Sequence, residues 1–78
     1  MFRVYVLKSG NDGNYYIGHT NNLANRLLRH NNGYVKSTRN RRPLTLVYEE
    51  LFKTRSEAMK REKFLKSGEG HTFLRDNL

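Results

Sequence analysis

Two runs near the start, FRVYVLKS at residues 2–9 and NYYIGHT at 14–20, are separated by GNDG. This arrangement constrains the fold more than any other feature. Both runs are rich in Val, Ile and Tyr, and the first alternates, which predicts strands. Gly, Asn and Asp between them tolerate a reversal of the chain. The expected unit is an antiparallel hairpin over residues 2–20. Strand side chains alternate between faces, so Tyr5 and Leu7 share one face and Val4 and Val6 the other. A turn centred between Asn11 and Asp12 sets Tyr5 opposite Gly18 and diagonal to Tyr16. Two phenols then converge on one side of the sheet, with a glycine leaving room for a ligand. A register slip of one residue would undo this.

Helical spacing follows the hairpin. Leu23, Leu27 and Leu28, with Ala24, predict an amphipathic helix. Thr20 or Asn21 is its expected cap, and Gly33 its stop. Residues 34–43, YVKSTRNRRP, form a polar, basic connection. LTLVYEELF at 44–52 reads as a third strand, whose pairing spacing alone does not reveal. TRSE at 54–57 is a capping box that opens the helix SEAMKREKFLKS, which ends at Gly68. GHTFLRDNL closes the chain as a short helix. The expected order is β-β-α-β-α with a short C-terminal helix, an α+β fold with helices covering a three-stranded sheet. At 78 residues, one domain spanning 1–78 is expected.

Charge narrows the function. Fifteen Lys and Arg stand against seven acids, a formal net charge of +8. Such an excess favours a polyanionic partner, above all nucleic acid. The absence of cysteine excludes a disulfide framework and a thiolate metal cage. The N-terminus lacks an apolar signal core and no run reaches the ~20 apolar residues of a membrane span. A soluble cytoplasmic protein is expected.

Three groups of residues carry potential chemistry. The first is the Tyr5–Tyr16 pair. The second is Arg26 and His30, four apart on the polar side of the first helix, with Arg29 beside them. A guanidinium grips phosphate with a planar fork, and imidazole moves protons near neutral pH. The third is Glu62, inside the stripe Ala58, Glu62, Leu65. A carboxylate there needs a cation, either a basic side chain or a metal. Arg61 and Lys66 read as poorly placed for it, leaving Arg26 or a divalent ion. Lys36, Arg39, Arg41 and Arg42 in the basic connection, with Lys8 and Arg29, are the expected phosphate contacts.

The ordered set VYVL, YIG, Arg26 and His30 on the next helix, and Glu62 in KREKFL, resembles the GIY-YIG nuclease superfamily. The likeness covers nearly the whole chain, and is strongest to small stand-alone bacterial members. It implies a three-stranded antiparallel sheet flanked by helices and a catalytic face built from Tyr5, Tyr16, Arg26, His30 and Glu62. It also implies Mg²⁺, or Mn²⁺, held by Glu62, and hydrolysis of phosphodiesters in DNA. Two departures stand out. Arg3 replaces the glycine of the first motif, and Asn77 is the only late asparagine that could match one found in some members.

On this resemblance Tyr5 is the expected general base, Tyr16 orients water or substrate, and His30 acts as relay or alternative base. Nearby cations are expected to lower the Tyr5 pKa. Arg26 braces the phosphate. DNA recognition is expected through the backbone, by structure rather than sequence, with a protein partner as one source of selectivity. Repair, recombination and mobile-element defence are equally compatible roles. The alternative is a weakly active or inactive nucleic-acid-binding module on the same fold.

Overall fold

A computed structural model describes residues 1–78. Strands β1 (Phe2–Ser9) and β2 (Tyr15–Thr20) form the hairpin. Helix α1 (Leu23–Asn31), a 3-10 turn (Arg39–Arg41), strand β3 (Leu44–Phe52), and helices α2 (Arg55–Leu65) and α3 (Gly68–Asn77) complete the α+β fold. The sheet order is β2-β1-β3, with β1 antiparallel to both neighbours.

The hairpin register is the expected one. Tyr5 pairs with Gly18 and Lys8 with Tyr15, which centres the turn between Asn11 and Asp12. Ser9 Oγ accepts the amides of Asn11 and Asp12, and Gly13 closes the turn at φ +72°. That dihedral favours glycine because a Cβ there crowds the backbone.

Central placement of β1 explains its sequence. Val4, Tyr5, Val6 and Leu7 are all at most 1% exposed. A strand covered on both faces has no solvent side and reads as a continuous apolar run. Val4 and Val6 pack with Ile17, Ala58, Leu65 and Leu74. Tyr5 and Leu7 pack with Leu44, against Tyr16, Leu23, Leu27 and Leu46. Helices α2 and α3 therefore cover one face and α1 the other. A bulge between Val6 and Leu7 in the β1–β3 ladder lets Val47 and Tyr48 both join the α2/α3 core.

Two local expectations shift. Asn22 caps α1 by accepting the Asn25 amide, rather than Asn21 or Thr20. Thr20, two residues before that cap, is occupied otherwise, its Oγ1 accepting the Asn22 amide at 3.1 Å. The buried stripe of α1 runs Leu23, Leu27, His30, while Ala24 is exposed and Leu28 is 64% exposed. Leu28 lies five residues beyond Leu23 and so turns away from the sheet.

The second half matches its capping signals. Thr54 and Glu57 form the capping box of α2. Gly33 takes φ +81° just past α1. Helix α3 begins two residues before the expected Gly70, because Ser67 caps it by accepting the Gly70 amide. Arg61 binds Glu50 through Nε at 2.7 Å and Nη2 at 3.0 Å, and lies over the Phe64 and Phe73 rings.

Candidate active site

The hairpin and α1 meet at Tyr5. Its hydroxyl lies 3.1 Å from His30 Nε2, and His30 Nδ1 lies 2.8 Å from Thr38 Oγ1. All three residues are buried. The Tyr16 ring stands edge-on to His30 at 5.0 Å and 6.3 Å from the Tyr5 ring. Thr38 Oγ1 has a second partner, the Val35 carbonyl at 3.4 Å, which can only accept. A Thr38 proton directed there leaves Oγ1 to accept from His30 Nδ1–H. His30 Nε2 is then free to accept from the Tyr5 hydroxyl.

His30 is thus not on the polar side of α1, as its spacing from Arg26 suggests. It is fully buried, on the stripe that faces the sheet. Seven residues from Leu23 is two helical turns, and that periodicity points it inward. Arg26, one turn earlier, is half-buried beside it.

Electrostatics tie the groups together. Burial, then the neighbouring Tyr16 phenol, pushes the Tyr5 phenol up, with the Glu62 carboxylate adding to the rise. Arg26 pulls it partly back. The expected lowering of Tyr5 is therefore reversed among the protein's own groups: desolvation of a phenolate at a buried site outweighs one nearby guanidinium. Burial, then Arg26, holds His30 below the usual imidazole value, so its ring is neutral at pH 7.

Glu62 lies on the sheet face covered by α2. Its Oε1 is 2.7 Å from His19 Nδ1 and its Oε2 2.7 Å from Lys66 Nζ. Burial works to raise its carboxyl, but Lys66 and His19 overcome this and hold it below the usual range. Lys66, expected to be poorly placed, is a direct partner because it lies one helical turn on. Arg61 is drawn instead to Glu50. Gly18, opposite Tyr5, and its neighbour His19, which holds Glu62, bring phenol and carboxylate to either side of one dipeptide of the edge strand β2.

A Cβ on Gly18 would sit 2.6 Å from the Tyr5 hydroxyl and 2.8 Å from its ring carbon Cζ. Only glycine leaves the phenol where it is. At the start of α1, Thr20, Asn21, Asn22, Asn25, Arg26 and Arg29 line a polar hollow of about 260 Å³.

No group of three or more His, Asp or Glu side chains is arranged to hold a metal. The donor set is one ionised carboxylate. That fits magnesium, which keeps several of its waters and takes few protein oxygens.

The basic residues separate into two kinds. Lys8, Arg29, Lys36, Arg39 and Arg42 are exposed. Arg41 clamps the connection to the hairpin, donating from Nε to Asp12 at 3.0 Å and from Nη2 to the Tyr15 carbonyl at 3.2 Å. Arg42 folds back, its Nε donating to the Arg39 carbonyl at 2.8 Å.

Three residues that contact the site are not among those the sequence assigned to it. Thr38 lies in the irregular connection, where no periodicity points to it. His19 was legible by alternation, since it shares a face with Ile17 rather than Tyr16. Lys66 was legible from its spacing to Glu62.

Comparison with known proteins identifies the family. A family model described as the GIY-YIG catalytic domain matches residues 1–73. A UPF0213 protein of Staphylococcus saprophyticus is 45% identical over 65 residues, covering 82% of this chain and 78% of that one. A UPF0213 protein of Bacillus pumilus is 52% identical over 59 residues, covering 74% of this chain and 59% of that one. The solution NMR structure of a UPF0213 protein from Bacillus halodurans superposes with a TM-score of 0.59 at 34% identity, over 97% of this chain and 84% of that one. Paired strand tyrosines, the glycine between sheet and phenol, and the match along almost the whole length lead to one conclusion: the chain belongs to the GIY-YIG nuclease domain family.

Proposed function

We propose that the chain is a divalent-cation-dependent endonuclease that hydrolyses phosphodiester bonds in DNA. The observation that carries this reading is the packing of the Tyr5, Tyr16 and His30 rings around one buried phenol. The phenol lies 3.1 Å from His30 Nε2 and its ring 6.3 Å from that of Tyr16, and Arg26 of α1 and Glu62 of α2 act on its proton affinity, so three elements besides β1 meet at it.

Arg26 binds the non-bridging oxygens of the scissile phosphate. Its contribution to the transition state is about 2.7–4 kcal/mol if it resembles other oxyanion donors. Tyr5 Oη takes a proton from the attacking water while passing its own to His30 Nε2. This relay spares the buried site a free phenolate, which burial disfavours. Arg26 opposes an imidazolium at His30. The phosphate offsets that guanidinium charge, so the relay works best with substrate bound. Tyr16, beside both rings, orients the water or the substrate. Glu62 holds the divalent cation, magnesium or manganese. When bound, the ion absorbs charge developing on the phosphate.

Lys8, Arg29, Lys36, Arg39 and Arg42 neutralise backbone phosphates and carry no base preference. Selectivity then comes from DNA structure or from a protein partner.

The test is nicking of a supercoiled plasmid and of a branched oligonucleotide, with and without Mg²⁺, beside Glu62→Ala. Metal-dependent cleavage lost in Glu62→Ala supports the nuclease. Tight binding without cleavage under any metal favours the binding module. That second reading has one observation behind it: both Glu62 oxygens already have partners within the chain.

A further inference from the structure

His19 has no part in the chemistry so far, yet it makes one of the shortest side-chain contacts near the site. Its Nδ1 lies 2.7 Å from Glu62 Oε1. Lys66 takes the other carboxylate oxygen and leaves Oε1 to the imidazole. Both side chains of the pair are about one-fifth exposed, so water and ions reach them.

The spacing suits more than a hydrogen bond. Two neighbouring donors about 2.1 Å from an octahedral ion lie about 3.0 Å apart. In the observed pair Nδ1 donates its proton to the carboxylate. Widening the pair by a few tenths of an ångström, turning the ring and releasing that proton to solvent, with Nε2 keeping or taking the other, would seat both atoms on one ion. The side chains come from different elements, β2 and α2, and each is anchored by its backbone ladder. His19 shares the α2-facing side of β2 with Ile17, a core residue, which limits its freedom to swing away.

We propose that His19 Nδ1 and Glu62 Oε1 form a two-donor nitrogen–oxygen site that selects Mn²⁺ over Mg²⁺. This rests on the reading of Glu62 as the cation-holding residue and adds a second ligand to it. The chemical reason is the donor type. Magnesium takes hard oxygens and gains little from imidazole, whereas first-row transition dications accept it. Lys66 stays on Oε2, where its half-exposed chain adjusts without moving the core.

The experiment is pulsed electron paramagnetic resonance of Mn²⁺ bound to the full chain, with Mn²⁺ and Mg²⁺ affinities from calorimetry. The expected result is a histidine nitrogen hyperfine coupling on bound Mn²⁺. In His19→Gln the coupling disappears and Mn²⁺ affinity falls about tenfold or more, while Mg²⁺ affinity changes less than about twofold. Glu62→Gln weakens both ions. Circular dichroism checks that the variants fold, and the wild-type spectrum stands independently of them. Glu62-dependent Mn²⁺ binding without nitrogen coupling overturns the proposal and leaves His19 a hydrogen-bonding neighbour. Coupling that persists in His19→Gln overturns it too. Ion binding indifferent to Glu62→Gln sinks instead the reading of Glu62 on which it rests. None of these readouts requires cleavage.

Discussion

Tyr5 and His30 form one buried unit, and single substitutions there separate chemistry from stability. Tyr5→Phe keeps the ring but removes the hydroxyl that faces His30 Nε2. Cleavage should drop ~10²-fold or more, as for loss of general-base help. The unpaired imidazole nitrogen should also cost about 1–3 kcal/mol in chemical unfolding. Wild-type rates in this variant would move the proton acceptor to His30. His30 itself predicts a pH dependence. Its pKa is lowered in the fold, by burial and then by Arg26. The unfolded chain therefore binds the proton first. Stability attributable to His30 is full above about pH 6.5 and falls as pH drops from there toward the lowered native value. The slope should approach at most about 1.4 kcal/mol per pH unit. Denaturant melts from pH 7.5 to 5 should show it, and a His30→Asn variant that still folds should lose it. An unchanged slope in that variant would assign the titration to another group.

At the scale of elements, two glycines set the geometry for different reasons. Gly18 is needed for the site. A Cβ there meets the buried Tyr5 phenol, which cannot rotate away because β1 is covered on both faces. Gly18→Ala should displace the phenol from His30, cost about 1–3 kcal/mol through overpacking, and abolish cleavage while the chain still folds. Gly70 is needed for the fold. A Cβ there would overlap the Phe64 carbonyl oxygen and the Leu65 backbone, where α3 turns against α2. Backbone cannot step aside as a side-chain tip does. Gly70→Ala should therefore cost at least about 3 kcal/mol, read as a lowered melting temperature. Equal effects of the two substitutions on stability would contradict this division.

Across the whole molecule, charge is the dominant feature, and the structure divides it. Arg41, Arg61 and Lys66 are committed to Asp12, Glu50 and Glu62. Lys8, Arg29, Lys36 and Arg39 have no ion-pair partner and face solvent. DNA binding should weaken steeply with salt, with about 0.9 log unit per phosphate neutralised. Lys36→Ala combined with Arg39→Ala should flatten the slope by about 2 units, measured by fluorescence anisotropy. Arg41→Ala should instead lower thermal stability and leave the slope nearly unchanged. A double variant with the wild-type slope would remove the connection from the interface.

Much of this was legible in the residue order, where the chemistry is local. The turn residues placed the hairpin register, and with it Tyr5 against Gly18. LTLVYEELF coincides with β3 from end to end. The Thr54–Glu57 box marked the start of α2 because capping involves neighbours a single turn apart. Long-range packing decided the rest. No spacing says that β1 lies in the middle of the sheet, that α1 covers the opposite face from α2 and α3, or that His30 therefore points inward to Tyr5 and Thr38. The His30 contacts join residues 25 and 8 positions apart and the β1–β3 ladder pairs Phe2 with Phe52, and the cost of these closures in chain entropy is repaid only when all the layers close together. Local pattern names the groups; burial between layers sets their partners and their proton affinities.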